Sequence, residues 1–174
     1  MKNPTTKHWK EYSRQKWIDP ENLELQVKKI RAAGSSIATI NGSFDLLHAG
    51  HLHILFEAAK QADILIVALN TDSSIRRYKS LARPIIPLEY RLEAISALEF
   101  VDYVTWFDET DPRAILSRIR PDIHVNGAEY GKNCIEAEVV RLGGGHIHIV
   151  DLIDGLSTTQ ITKKICDVSG VAKT

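Results

Sequence analysis

Two histidines three residues apart, His48 and His51, flank Ala49-Gly50 and closely follow the stretch Asn41-Gly42-Ser43-Phe44-Asp45. Imidazoles at this spacing lie on one side of a helical turn, where both can donate a hydrogen bond to the same anion. Further on come Lys79 and Arg83, in a run that also holds Arg76 and Arg77, and then the hydroxyl triplet Ser157-Thr158-Thr159. These groups supply donors and positive charge, the inventory for holding phosphates. No carboxylate–histidine pair is evident for activating a hydroxyl. Asp45, just after an apolar Phe44, suits holding the turn by hydrogen bonds. His146 and His148, two apart, would share one strand face but have no third ligand nearby, so they and His124 read as structural. No protein-built metal site is expected.

The flanking residues say which elements must position these groups. Ile37-Ala38-Thr39-Ile40 is a short apolar run of the kind found in a parallel strand covered on both faces. Leu52, Leu55, Phe56 and Ala59 then recur at helical spacing, which places the start of a helix near Gly50. Unpaired N–H groups and the positive end of the helix dipole therefore face the strand-to-helix turn. Gly42 and Gly50 would let backbone approach an anion there. Alone, His-x-Gly-His could be a helix start with two surface histidines, but the preceding Asn41 to Asp45 and the flanking elements argue for a binding turn.

The alternation continues along the chain. Ile64 to Leu69 reads as a buried strand ending at Asn70-Thr71-Asp72, followed by a basic polar stretch up to Pro84 and Pro87. Within that stretch Lys79 and Arg83 are favoured over Arg76 and Arg77 as phosphate ligands. Pro87 opens a helix carrying Leu88, Leu92, Ile95 and Leu98; its Arg91 is a binding candidate or a surface residue. Residues 101–107 form a strand, 112–119 a helix, and 122–125 a strand ending in the polar loop Asn126-Gly127-Ala128-Glu129-Tyr130. Residues 135–142 form a helix stopped by three glycines, and Ile147, Ile149 and Leu152 belong to a fifth strand. Ser157 to Thr159 would cap a last helix. Strands alternating with helices predict an α/β, Rossmann-like fold: a five-stranded, mostly parallel sheet with helices on both faces. Ligands of such sheets bind at the strands' carboxyl ends.

Residues 1–34 are expected to form an N-terminal extension and helix, and 35–174 the main domain. Asp19 and Pro20 mark a helix start, and Leu23, Val27 and Ile30 share one face until Gly34. Trp9, Tyr12 and Trp17 are a heavy aromatic load for a polar segment. They pack either on the domain or in a subunit interface.

With 174 residues and 44% apolar content, the chain can bury one full core. Twenty-two basic residues balance 22 acidic ones, so no overall field points to nucleic acid or an anionic membrane. Cys134 and Cys166 lack a metal or disulfide spacing and read as free thiols of a reducing compartment. No apolar run reaches a membrane span and no signal-peptide core is seen, so a cytoplasmic location is expected.

Asn41-Gly42-x-Phe44-Asp45 with His48-x-Gly50-His51 resembles the signature of the nucleotidyltransferase superfamily in its cytidylyltransferase-like branch. Arg83-Pro84-x-x-Pro87-Leu88-Glu89-x-Arg91 and Asp154-Gly155-x-Ser157-Thr158-Thr159 extend the likeness over about residues 23–167, nearest to the adenylyltransferases that make ADP-heptose from heptose 1-phosphate. Glycerol-phosphate cytidylyltransferases would carry an arginine where this chain has Leu152-Ile153-Asp154. The chain also departs from the pattern at Asn126, where a basic residue is expected, and at Glu129, where aspartate is.

The resemblance implies ATP and a sugar 1-phosphate as substrates, Mg²⁺ accompanying ATP, and a homo-oligomer. It implies a separate sugar kinase and phosphatase upstream, and use of the product in lipopolysaccharide or another surface glycan. By the same resemblance His48, His51 and Lys79 are catalytic. Asn41, Gly42, Ser43, Phe44, Asp45, Gly50, Arg83, Arg91, Asn126, Gly127, Glu129, Tyr130, Ser157, Thr158 and Thr159 bind nucleotide or phosphate. Cytidylyl transfer to a polyol or amino-alcohol phosphate is the alternative among enzymes, and nucleotide binding without turnover is the alternative outside them.

Overall fold

The computed structural model describes residues 8–131, 133–151, 153 and 157–169. Its strands are β1 (Ile37–Gly42), β2 (Ile64–Asn70), β3 (Tyr103–Phe107), β4 (Ile123–Gly127) and β5 (His146–Val150). They form one sheet of order β3-β2-β1-β4-β5 in which every pairing is parallel. The chain winds outward from β1 to β3, then crosses back to lay β4 on β1's other side. The order reverses between β1 and β4, and at such a switch point two adjacent strand-to-helix turns diverge and leave a crevice. The fold is Rossmann-like, as the alternation of elements predicts.

Around the sheet lie α1 (Trp9–Arg14), α2 (Leu23–Ala32), α3 (Ala49–Ala59), α4 (Asp72–Tyr78), α5 (Leu88–Ser96), α6 (Arg113–Ile119), α7 (Ala137–Leu142) and α8 (Thr158–Ser169). Two apolar clusters hold them in place. In one, Leu55, Ala58, Leu92 and Ile95 meet Leu65, Val67 and Val104. In the other, Leu23, Val27, Ile30, Ile115 and Ile119 meet Ile37, Ile66 and Ala68. Ile37, Leu55, Ile66, Ile95 and Ile119 are fully covered, and each large aliphatic side chain buried in this way contributes ~1.5–3 kcal/mol. Gly145 is required by space: a Cβ there would lie 2.1 Å from the Pro121 carbonyl.

Several boundaries differ from those read in the sequence. Asn126 and Gly127, assigned to a loop, are the last two residues of β4 and pair with Ile149 and Val150. Strand β5 ends at Val150, and Leu152 lies outside the described residues. The polar stretch after β2 begins with α4, an unpredicted helix whose N-cap Thr71 accepts from the Ser74 N–H. Its polar composition hid it, because only Ile75 and Ser74 are buried. The N-terminal aromatic residues pack intramolecularly: Ile18 N donates to Val104 O and Val104 N to Lys16 O, extending the sheet edge. Trp17 Nε1 donates to Ser96 Oγ at 2.9 Å and Trp9 Nε1 to Glu93 Oε2 at 2.8 Å. Trp9 nevertheless keeps 49% of its surface exposed.

Candidate active site

Strand β1 delivers its chain end to a turn, Ser43 to His48, that feeds α3. Phe44 adopts φ +43°, a left-handed conformation that costs a residue with a Cβ about 1 kcal/mol. The bend tucks the Phe44 ring under the turn, 5.4 Å from the His51 ring. That ring also occupies the space beside Gly42, where a Cβ would lie 3.2 Å from it. Gly42 therefore makes room for Phe44, and it also lies on the cavity wall. His48 is the N-cap residue of α3, and its side chain makes no cap bond. The start of α3, with Gly50 on the cavity wall, is open to a ligand.

His48 and His51 are stacked, with ring centroids 3.8 Å apart and planes at 22°. Their buried Nδ1 atoms make no hydrogen bond among the described residues. Burial lowers the pKa of both. His51 falls to about 4, with neighbouring His48 adding to the effect. Both rings are neutral at pH 7, which is what allows two imidazoles to stack. An arriving polyphosphate reverses this bias, since a nearby anion favours the protonated form.

Lys79, the C-cap residue of α4, reaches across to donate to Ser43 Oγ at 3.0 Å. Burial lowers its pKa, and Arg83 lowers it further. Asp45 is 5% exposed and accepts from the Ile85 and Ile86 N–H groups at 2.8 Å each and from Arg83 at 2.7 Å. Burial opposes its ionisation, but the Ile86 and Ile85 N–H groups and Arg83 prevail, so its pKa is lowered. Asp45 thus ties the segment after α4 to the histidine turn.

Arg91 is a correction. It is 1% exposed, and its guanidinium donates to the carbonyls of Ile86, Ser43 and Asn70 and to Asp72. Four of its five N–H donors are committed to the protein, so it braces the site from behind. Asp45 has the same character, with both carboxylate oxygens occupied, and Arg83 is paired with it.

One cavity of about 530 Å³ opens over the switch point. It brings together Asn41, Gly42, Ser43, Phe44, Gly50, His48, His51 and Lys79 from the β1 side with Asn126, Gly127, Glu129 and Tyr130 from the β4 side, and Ser157 and Thr158 from the start of α8. Asp45, Arg83, Arg91 and Thr159 are not on its wall. Asp154 and Gly155 lie outside the described residues. The cavity also gathers residues that sequence reasoning missed, chiefly Tyr78, Asp111 and Glu136. Asp111 follows the carboxyl end of β3 by four residues, a position that could have flagged it; Tyr78 and Glu136, eight and nine residues beyond the ends of β2 and β4, carried no such signal. Among the described residues, no three His, Cys, Asp or Glu side chains gather as a metal site. The pair His146 and His148 lies on β5 outside the cavity, and His124 is buried against Thr39.

The model of the family described as cytidylyltransferase-like matches residues 39–164, well over half of the chain. The chain belongs to the cytidylyltransferase-like family of nucleotidyltransferases. Among curated relatives, this domain is 42% identical over 146 residues to the "Bifunctional protein HldE" of Hahella chejuensis, covering 83% of the chain and 31% of that protein. It is 43% identical over 146 residues to the protein of the same name from Shigella sonnei, again covering 83% and 31%. The chain spans less than a third of the length of these relatives. A solved structure, the lipopolysaccharide core biosynthesis protein from Thermoplasma volcanium, superposes with a TM-score of 0.56 at 32% identity, covering 69% of this chain and 98% of that one. The cytidylyltransferase-like assignment thus covers β1 to α8, the elements that line the cavity.

Proposed function

We propose that this chain transfers the adenylyl group of ATP to the phosphate of a sugar 1-phosphate, D-glycero-D-manno-heptose 1-phosphate, giving ADP-heptose and pyrophosphate. The observation that carries the reading is the stacked, neutral His48–His51 pair at the uncapped start of α3, facing Lys79 and Ser157–Thr158 across one cavity. The relatives named above and the resemblance of the three separated motifs support heptose as the sugar and surface-glycan synthesis as the use. A sugar kinase and a phosphatase would act upstream, and the setting would be cytoplasmic.

The acceptor phosphate is already an anion at neutral pH, so no base is needed to create the nucleophile. Its oxygen attacks the α-phosphorus, the bond to the β-phosphate bridging oxygen breaks, and pyrophosphate leaves. What the site must supply is alignment of two repelling anions and stabilisation of charge as it shifts to the leaving group. His48 and His51 donate to the α-phosphate and the leaving oxygen, gaining positive character as charge builds. Lys79 sits where both substrates meet, and Ser157 and Thr158 hold the outer phosphates beside the start of α8. Mg²⁺ accompanying ATP would supply further neutralisation of the leaving group.

The deciding assay is pyrophosphate release from ATP or CTP with heptose 1-phosphate, free heptose and a panel of polyol phosphates. Turnover is expected with ATP and heptose 1-phosphate, rising with pH as the acceptor phosphate ionises near pH ~6 and then holding a plateau. A clear preference for CTP, or efficient use of the free sugar, would overturn the proposal.

A further inference from the structure

The cavity has a wall that phosphate chemistry does not explain. Glu136 is 6% exposed, lines the cavity, and has no cationic partner among the described residues. It is the N-cap residue of α7, yet its side chain makes no cap bond, so the carboxylate is not spent on the helix. Its hydrogen-bond partners are Asn126 Nδ2, at 3.5 Å, the outer limit of such a bond, and the Cys134 thiol, a weak donor whose pKa burial and this carboxylate raise. A buried carboxylate so weakly satisfied is costly, and the group that relieves it must bring donors. A phosphate cannot do this, because it would meet Glu136 as a like charge.

Asn126 is itself held from behind. It is 6% exposed and stands two residues after His124 on β4, on the same face of the strand. His124 is fully buried and its Nδ1 lies 2.8 Å from Thr39 Oγ1, across the β1–β4 register pair. Burial keeps His124 neutral, with a pKa lowered to about 4, and the Asn126 side chain acts the other way. Thr39, His124, Asn126 and Glu136 therefore form a line of buried polar groups running from the sheet interior to the cavity wall. At the cavity end of this line the Asn126 amide donates to the carboxylate, while His124 Nε2 makes no hydrogen bond among the described residues.

We infer that Glu136, oriented by Asn126, is a hydroxyl-binding subsite that accepts hydrogen bonds from a vicinal diol on one of the two substrates. The chemistry is that of a sugar ring. It could belong to the ribose of the nucleotide or to the acceptor sugar, and both carry such hydroxyls under the functional reading on which this inference rests. Glu136→Gln keeps the volume but replaces an acceptor pair by one acceptor and one donor group, so it is mismatched to a diol.

The test measures binding and turnover on the full chain, wild type and Glu136→Gln, after matched thermal melts. The nucleotide arm uses calorimetric binding of ATP, 2′-deoxyATP and 3′-deoxyATP. The acceptor arm uses KM for heptose 1-phosphate and for its analogues lacking one ring hydroxyl. If the ribose is the ligand, the variant binds ATP about 10- to 100-fold more weakly, and deoxyATP binds equally to both proteins. If the acceptor is the ligand, ATP binding is unchanged, and the KM loss appears for the full sugar and vanishes for the matching deoxy analogue. Because each comparison is made within one folded protein, a general loss of stability cannot imitate it. A wild type that binds ATP while Glu136→Gln matches it in every arm overturns the subsite alone. A wild type that binds neither substrate brings down the functional reading and this inference together.

Discussion

The two turns that flank the switch point are built alike and do opposite things. After β1, the chain presents two neutral imidazoles, an uncapped helix start and Lys79. At and after the end of β4, it presents Asn126, Glu129 and Glu136, with the Glu129 carboxylate folded so closely over Gly127 that a Cβ there would lie 2.2 Å from it. One wall attracts phosphates and the other repels them. A cavity polarised in this way accepts a molecule with a charged end and a neutral, hydroxyl-bearing end in only one orientation, so electrostatics alone can set the register of a nucleotide or sugar phosphate.

This contrast can be broken from the phosphate side. His48→Ala or His51→Ala is expected to reduce kcat by ~10²- to 10³-fold, the scale for losing one preorganised donor in the transition state. Pyrophosphate release measures the loss, and circular dichroism should show the fold retained, because both side chains line the cavity rather than the two apolar clusters. Normal turnover in a folded double variant would remove the catalytic role. Removing the brace behind the same turn should act on stability. Arg91→Met leaves the carbonyls of Ser43, Asn70 and Ile86 without their donor and is expected to cost about 3 kcal/mol in urea unfolding. A change below 1 kcal/mol would mean that Arg91 is not the brace described above.

A gentler change separates the two turns by pH. His51 and His124 both have folded pKa values of about 4, below the ordinary 6.5. The unfolded chain takes up protons through this range while the folded chain does not. Their stabilising effect is therefore complete above about pH 6.5 and is lost as pH falls toward 4. Urea melts at pH 7.5, 6 and 5 should show stability declining, and His51→Asn should flatten part of that decline while leaving the share due to His124 on β4. The carboxylates held low act at more acidic pH, Asp108 and Glu24 titrating near 2. The smallest effect expected is from Asp45→Asn, which weakens the tie to Arg83 and the 85–86 backbone. A rise in KM of about 3- to 10-fold with kcat nearly unchanged would fit an anchor for the Lys79-bearing segment; a collapse of kcat would place Asp45 in the chemistry.

The β1 side of the cavity was largely legible in the sequence and the β4 side much less so. His48, His51 and Ser43 belong to one contiguous turn, and their relation is fixed by the helix that Leu52, Leu55 and Phe56 announce. Glu136 has no such local signature. It stands ten residues beyond Asn126 and meets it only because β4 ends at Gly127 and the following chain folds back over the sheet edge. The helix α4 escaped notice because one isoleucine in a run of polar residues gives no periodicity to read. Arg91 was ambiguous for a related reason: an arginine in a helix's first turn looks the same in sequence whether it faces water, a phosphate or three backbone carbonyls.

By itself, the sequence determined the succession of strands and helices, the composition of the binding turn and its preference for anions. These depend on contacts within a few residues, where periodicity, caps and prolines act. Tertiary structure decided which turns face each other, because the reversal to β3-β2-β1-β4-β5 is a property of how the crossovers pack. It also decided which charges remain for a ligand. Lys79 ends at the cavity wall, while Arg91, twelve residues later, is engaged by carbonyls contributed from the turn after β1, the end of β2 and the loop between α4 and α5. Burial sets that division, since a buried guanidinium must be satisfied by whatever acceptors the fold brings around it.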